Sequence, residues 1–395
     1  MIKFAHIADS HLGGWRQPEM QDLNMQSFKK AIDICIEEKV EFCLFAGDLF
    51  DSAFPPIEIL KDTFGEFKKL KDAGIKSILI AGSHDYSISG KTFLDVLEKA
   101  GFIEICKYQE NENEVVLLPS KIKTFCIYGY PGKKSSLEVH SIKKIKINEP
   151  YEKDFRILML HTTLTEVAQG LPIDSVSLKE LPKADYYALG HVHIDYEYSY
   201  ENKPVIYGGP TYPNNFKEIE DLKYGCFYIV EVNGFTRPRK IDLKIIDPVL
   251  IEVEIENALT GAQKILSEIK RVEIKNKIVL LKVFGNIKQG KTSDINFKDI
   301  ENYITNSQSY SFLKNTSQLE MEHQFLSMEL QKKEKDKIED LLIKRYEKEN
   351  PSQYNELIIP LMESLNLEKQ EDEKSAIFES RLFAELSKIL KVDLN

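Results

Sequence analysis

Phe4-Ala5-His6-Ile7-Ala8-Asp9-Ser10-His11 begins as a short apolar run and ends in an aspartate and a histidine two residues apart. A run of this length reads as a buried strand. In extended backbone, side chains at i and i+2 share a face, so Asp9 and His11 are expected to point together. The layout recurs four times. Phe42-Cys43-Leu44-Phe45-Ala46 leads to Gly47-Asp48, and Ile78-Leu79-Ile80-Ala81 to Gly82-Ser83-His84-Asp85. Ile157-Leu158-Met159-Leu160 leads to His161, and Tyr187-Ala188-Leu189 to Gly190-His191-Val192-His193. Ligands of α/β sheets bind in the crevice beyond the carboxyl ends of the strands. Five strand ends are therefore expected to converge on one place, where glycine lets backbone approach closely.

The donor types agree with one another. Two carboxylates with several imidazoles suit a divalent ion such as Mn²⁺, Fe²⁺ or Zn²⁺. No cysteine takes part. The number of oxygen and nitrogen donors favours two ions over one. Two metals ~3.5–4 Å apart can clamp the attacking and leaving oxygens of an in-line phosphoryl displacement. His6 lies inside the first strand and reads as packing. His140 and His323 stand in polar surroundings and read as solvated. Asp51 and Asp85 sit beside the motifs and read as supporting or turn residues.

Outward from these motifs, residues 1–235 alternate apolar runs with amphipathic helical stretches such as Phe28 to Ile36, Ile57 to Leu70 and Thr92 to Ala100. This predicts a layered α/β domain. It carries 27 basic and 35 acidic residues, a net of −8. Residues 236–310 carry 13 and 10, a net of +3, and read as a small α+β domain. Between Lys264 and Lys291 eight basic residues face only Glu268 and Glu273 within the segment. Residues 311–395 carry 13 and 18, a net of −5. There, Ser317 and Glu320 have capping-box spacing and predict a long helix to about Lys348. A second helix is expected over Ser375 to Lys391, and Pro360 should interrupt anything continuous between them.

The chain of 395 residues has a formal net charge of −10, which on its face argues against nucleic acid as a partner. Five cysteines, without a CxxC pair, read as buried free thiols in a reducing compartment. No apolar stretch approaches the ~20 residues that cross a bilayer, and a soluble cytoplasmic protein without membrane contact is expected.

The motifs resemble those of the calcineurin-like metallophosphoesterases. Within them, Phe4 to Gly13, Gly47-Asp48-Leu49-Phe50 and Tyr186 to His193 resemble the double-strand-break repair nucleases of the meiotic-recombination-eleven (SbcD) type. The likeness is strong over residues 1–235, weaker in the middle and one of layout in the tail. It implies an α/β/β/α nuclease domain, a capping domain that orients DNA, and a helical segment that docks on an SMC-like ABC-type coiled-coil ATPase. It implies a homodimer through nuclease-domain helices, for which Leu60, Phe64, Leu94 and Leu97 are candidates. It implies two Mn²⁺ ions: one held by Asp9, His11, Asp48 and His193, the other by Asp48, His161 and His191. His84 would face the scissile phosphate and help protonate the leaving oxygen. The resemblance implies phosphate contacts in the middle domain, where Lys264, Lys270, Arg271, Lys275 and Lys277 are candidates. In the tail it implies ATPase contacts, with Phe378, Leu382, Phe383 and Leu386 as candidate anchors.

One position departs from the pattern. The family reads Gly-Asn-His-Asp, with the asparagine oxygen on the second metal, where this chain has Ser83. A hydroxyl is shorter and a poorer neutral ligand. Ser83 or a water completes the shell, or the second ion is held weakly. The expected activity is exonuclease on double-stranded and endonuclease on single-stranded DNA. A phosphomonoesterase of the same fold, and a DNA-end-binding scaffold with a weakened metal site, are the alternatives.

Overall fold

The computed structural model describes residues 2–87, 92–147, 154–168, 172–321, 343, 346, 354–367, 369, 373 and 375–390. The chain divides into two compact units, Met1–Met321 and Glu322–Asn395.

Two six-stranded sheets form the centre of the first unit. In the first, Ile2–Ile7, Phe42–Ala46, Lys76–Ile80 and Glu104–Ile105 run parallel in that order. Gly225–Val232 and Thr236–Leu243 add an antiparallel edge beside Ile2–Ile7. In the second, Phe125–Tyr130, Phe155–His161, Tyr186–Gly190 and Lys203–Tyr207 run parallel, with Ser120–Ile122 and Tyr196–Tyr200 as antiparallel edges. The inner faces meet in a core that includes Phe4, Phe42, Leu44, Ile127, Ile157 and Tyr186. Phe4 stacks on Phe42 at 5.1 Å and meets Tyr186 edge-on at 5.2 Å, the offset geometries aromatic pairs prefer.

Helices Pro18–Glu37, Ile57–Asp72 and Phe93–Lys99 cover the outer face of the first sheet through Phe28, Ile32, Phe67, Leu70, Leu94 and Leu97. The outer face of the second sheet is covered differently. A three-stranded sheet (Tyr108–Glu110, Val115–Leu117 and Ile145–Ile147) and the short helix Glu138–Ile142 supply Val115, Leu117 and Ile142 to its core. For Leu60, Phe64, Leu94 and Leu97 the sequence leaves core face and dimer face open; Leu60, Leu94 and Leu97 face the core, and Phe64 is half-buried at its edge.

The first sheet continues through Leu243, beyond residue 235, because Thr236–Leu243 pairs along its whole length with Gly225–Val232. The small module that follows has three strands, Pro248–Glu254, Ile278–Ile287 and Ser311–Met321, all parallel. Helices Ala258–Ile269 and Phe297–Asn306 make the crossovers, so strands and helices alternate rather than segregate. Its core of Ile251, Ile265, Val279, Leu281, Ile300 and Ile304 is its own. Ile278, Leu280 and Leu313 pack against Trp15, Met20, Leu23 and Tyr212 of the larger domain.

Strand Ser311–Met321 overturns the helix start predicted at Ser317: those residues complete the small sheet, and the rest of the expected helix lies largely outside the described residues. In the second unit, Pro360 stands in the first turn of helix Ile358–Leu365, where a missing N–H costs nothing, so it does not break a helix. The expected second helix is present as Ser375–Leu390. No helix among the described residues is long and apolar enough to cross a membrane. All five cysteines are free and buried.

Candidate metal centre

The five predicted strand ends do meet, where the carboxyl ends of both sheets adjoin. The first sheet supplies Asp9, His11, Asp48, Ser83 and His84, and the second supplies His161, His191 and His193. Backbone bonds tie the loops together: the Asp9 amide donates to Gly47 O (3.1 Å) and the His11 amide to Asp48 O (2.9 Å). The His191 amide donates to Asp9 Oδ1 (2.9 Å), and the His84 amide to Asp48 Oδ1 (2.8 Å).

Asp9 and His11 do not reach this place through extended backbone, as their i, i+2 spacing suggested. Their φ angles are 52° and 42°, Asp48 has 49° and His191 has 100°. Left-handed backbone at non-glycine residues costs roughly 1–3 kcal/mol each and persists where surrounding bonds over-determine it. Glycine is required beside these residues. A Cβ on Gly47 (φ 90°) would lie 2.2 Å from His161 Nδ1, and one on Gly82 2.1 Å from Asp48 Oδ1.

Three overlapping groups of donors result: Asp9, His11 and His193; His11, Asp48 and His84; and Asp48, His161 and His191. Within each, the donor atoms lie within 4.8 Å of one another. The tautomers are set from behind. His161 Nδ1 lies 2.9 Å from Ala46 O, an atom that can only accept, so Nδ1 carries a proton and Nε2 is the nitrogen turned inward. His11 Nδ1 donates to Asp51 Oδ1 (3.1 Å), and His193 Nδ1 to Glu218 Oε1 (3.0 Å). His11 Nε2 and His193 Nε2 then face each other at 3.0 Å. That is about the separation of adjacent ligands on bonds of ~2.1 Å. His161 Nε2 lies 3.1 Å from Asp48 Oδ2 without hydrogen-bond geometry, and Asp9 Oδ2 is buried with no hydrogen-bond partner among the described residues. Orphaned acceptors aimed at common points fit cations better than they fit one another.

The electrostatics agree. Burial opposes the charge on Asp48, but His161 and His11 outweigh it and hold the carboxyl well below the usual carboxylate range. Burial likewise opposes charge on His161, but Asp48 and Asp9 raise it to about 10. Burial, then His161, lowers His191 to about 4. A cation entering at pH 7 must therefore displace a proton from His161. The sign follows: raising pH frees the nitrogen and tightens binding, lowering pH weakens it. Calorimetry in two buffers of different ionisation enthalpy should show net proton release on cation binding. No release would remove His161 from the ligand set.

Glu218 was not legible in the sequence. It caps helix Phe216–Leu222 locally, accepting the Asn214 amide (2.7 Å), and nothing in its spacing connects it to His193. Burial raises its pKa, but the bond to His193 outweighs this and lowers it. Carboxylates behind metal-binding histidines typically matter 10–100-fold in affinity. Glu218→Gln is expected to weaken cation binding within that range while leaving the fold intact, as titration calorimetry would reveal.

Asp85 supports the site without entering it. Its buried carboxylate accepts the amides of Leu49 (3.1 Å), Phe50 (3.0 Å) and Gly82 (3.0 Å). His84 Nδ1 donates to Asp51 O (2.9 Å), and its ring is 46% exposed, open to an incoming substrate. Ser83 and His84 line a cleft of about 480 Å³ together with His11, Asp48, His191, His193, Asn214 and Glu218. His6 is buried with Nδ1 3.0 Å from Tyr186 Oη, and burial lowers its pKa to about 3, which fits packing rather than ligation.

The remaining candidates are not among this cleft's lining residues. Lys264, Lys270, Arg271 and Lys275 are exposed and Lys277 is half-buried. Arg271 pairs with Glu268 (2.7 Å). Of their basic neighbours, Lys282 pairs with Glu220 (2.8 Å) and Lys288 with Glu256 (2.9 Å). The field of this segment is thus smaller than its linear charge suggests, because tertiary contacts bring Glu220 and Glu256 to it. In the second unit, Phe383 is exposed, Phe378, Leu382 and Leu386 are half-buried, and the Arg381 guanidinium lies over the Phe378 ring (5.5 Å).

Residues 2–195 match the model of the calcineurin-like phosphoesterase family. The chain is 30% identical over 302 residues to the DNA double-strand break repair protein Mre11 of Methanocaldococcus jannaschii, covering 73% of this chain and 77% of that one. It is 24% identical over 305 residues to the Mre11 of Archaeoglobus fulgidus, covering 71% and 68%. A solved structure, a dimetal phosphatase from Danio rerio, is 10% identical with a TM-score of 0.37 and covers 61% of this chain and 98% of that one. With the ligand clusters at the strand ends its motifs mark, the chain belongs to the calcineurin-like phosphoesterases, in the branch of the Mre11 double-strand break repair proteins.

Proposed function

We propose that the protein is a two-metal DNA nuclease of double-strand-break repair, exonucleolytic on double-stranded and endonucleolytic on single-stranded DNA. The observation that carries this reading is the overlap of three donor groups through His11 and Asp48, with Nε2 of His11, His161 and His193 turned inward. Asp9, His11, Asp48 and His193 would hold one Mn²⁺, and Asp48, His161 and His191 the other, with Ser83 at its edge. Bound there, the ions would polarise the phosphoryl group and activate water for in-line displacement. The chain's own residues do the rest. His84, held by Asp51 O, faces the leaving oxygen and protonates it. The Asp51 and Glu218 carboxylates keep His11 and His193 in the ligating tautomer.

The test is degradation of end-labelled single- and double-stranded DNA with Mn²⁺, by wild type and His84→Ala. Loss of cleavage with retained cation binding is expected for the variant. Efficient hydrolysis of simple phosphomonoesters with DNA left intact would instead favour a phosphatase. Cations bound without hydrolysis of either substrate would favour a scaffold.

The basic residues Lys264, Lys270, Arg271, Lys275 and Lys277 are proposed to contact phosphates. The helix Ser375–Leu390 is proposed to bind the SMC-like ATPase through Phe378, Leu382, Phe383 and Leu386. A homodimer and a cytoplasmic location belong to the same reading. A truncation must follow Met321, since an earlier cut would remove part of the strand Ser311–Met321. Residues 1–321 are expected to keep DNA cleavage and lose ATPase binding in a pull-down. Retained binding would place the partner surface in the first unit.

A further inference from the structure

Beyond His84 the metal cleft continues into a second cavity of about 610 Å³, lined in part by Asp51, Phe54, Ser83, His84, Tyr86 and Lys134. Ser83 and His84 line both spaces. Its composition differs from the cleft's. Phe54 is 67% exposed, and Tyr86 is exposed beside it. An aromatic ring held open to solvent at the mouth of a site offers a flat face on which a base can stack. Phe54 follows the metal-ligand loop, is stiffened by Pro55 and Pro56, and meets Phe93 edge-on at 6.4 Å.

The cavity also carries a cation with no assignment. Lys134 is exposed, and its side-chain ammonium makes no hydrogen bond or ion pair with any described residue. Its neighbour Lys133 differs: it pairs with Glu110 (3.0 Å) and lies over the Tyr130 ring (5.3 Å). Asp51 brings a carboxylate to the cavity, but that carboxylate already accepts from His11. An open aromatic face and a free ammonium, one step from a phosphodiester site, together fit a base and its phosphate.

Resting on the nuclease reading, we propose that this cavity seats one unpaired nucleotide flanking the scissile phosphate on the His84 side. The base stacks on Phe54 beside Tyr86, and Lys134 takes the adjoining phosphate. A base paired and stacked within a duplex cannot present its face to Phe54. The substrate class is therefore single-stranded DNA, or a duplex end whose terminal base has been freed. Stacking tolerates every base, so the subsite selects for strand separation rather than for sequence.

The experiment compares wild type, Phe54→Ala, Phe54→Tyr and Lys134→Gln on single-stranded oligonucleotides, with and without an abasic residue at the flanking position. Two readouts are taken: kcat/KM with Mn²⁺, and binding in EDTA by fluorescence anisotropy. Thermal melting verifies that each variant is folded. Removing a base-stacking ring is expected to cost roughly tenfold in both readouts on the base-bearing strand. It should cost nothing on the abasic one, and Phe54→Tyr should restore both. Lys134→Gln should weaken both strands alike and flatten the salt dependence. Equal loss on both strands for Phe54→Ala, or none on either, overturns the subsite. If wild type cuts no DNA, the nuclease reading fails by itself, and the anisotropy comparison still decides for or against the subsite.

Discussion

Asp48→Asn is expected to lose more than about 100-fold in cation-dependent hydrolysis, since even partners one step further out typically matter 10–100-fold. Calorimetry should find fewer than two cations bound. Among the described residues Asp48 is the one carboxylate that belongs to two of the donor groups: His11 Nε2 lies 3.5 Å and His161 Nε2 3.1 Å from its Oδ2. Asparagine keeps the shape and can still accept the His84 amide at Oδ1, a bond of 2.8 Å in the wild type. It removes the charge, and with it the main counterweight to burial of the His161 imidazolium. The variant should therefore fold, as circular dichroism would verify, and hold His161 as a neutral imidazole in the absence of metal. An Asp48→Asn protein that binds two cations as tightly as wild type would rule out the bridging role.

Asp85→Ala should have the largest effect on stability of any single change around the site. Its carboxylate gathers three buried amides from two loops that end adjacent strands. An orphaned buried donor costs ~1–3 kcal/mol, and three that share one partner do not simply add. A loss of roughly 3 kcal/mol or more is expected, with a melting temperature lower by roughly 5–10 °C. Cation affinity should fall with it, because the same bonds hold the backbone of the Gly47–Asp48 and Gly82–Ser83 turns. Asp85→Asn, which keeps one acceptor oxygen, should lie between. A denaturant midpoint for Asp85→Ala indistinguishable from wild type would show that these amides find other partners.

Three corrections to the linear reading share one cause. Asp9 and His11 converge through left-handed backbone rather than pleated strand geometry. The basic run Lys264 to Lys291 is partly neutralised by Glu220, remote in sequence. The residues after Ser311 complete a parallel sheet where local spacing suggested a helix start. In each, a long-range partner outweighs a local preference that is worth a fraction of a kcal/mol to about 1 kcal/mol. The formal charge of −10 likewise describes no surface of the molecule. Asp9 and Asp48 belong to the donor groups, and many lysines are already paired.

The sequence by itself determined the strand ends, the donor types and the family, because an apolar strand followed by Asp or His at a fixed offset is a local pattern. It determined Asp51 and Asp85 as supporting residues for the same reason: they adjoin the motifs. Only the tertiary structure decided which nitrogen of each histidine faces inward. That choice rests on Ala46 O, Asp51 and Glu218, which lie 115, 40 and 25 residues from the imidazoles they orient. It also decided that Phe54 and Lys134, 80 residues apart, line one cavity beside His84. Tautomers and cavities are properties of neighbours in space, and a chain read in order carries no distance between residues that only folding brings together.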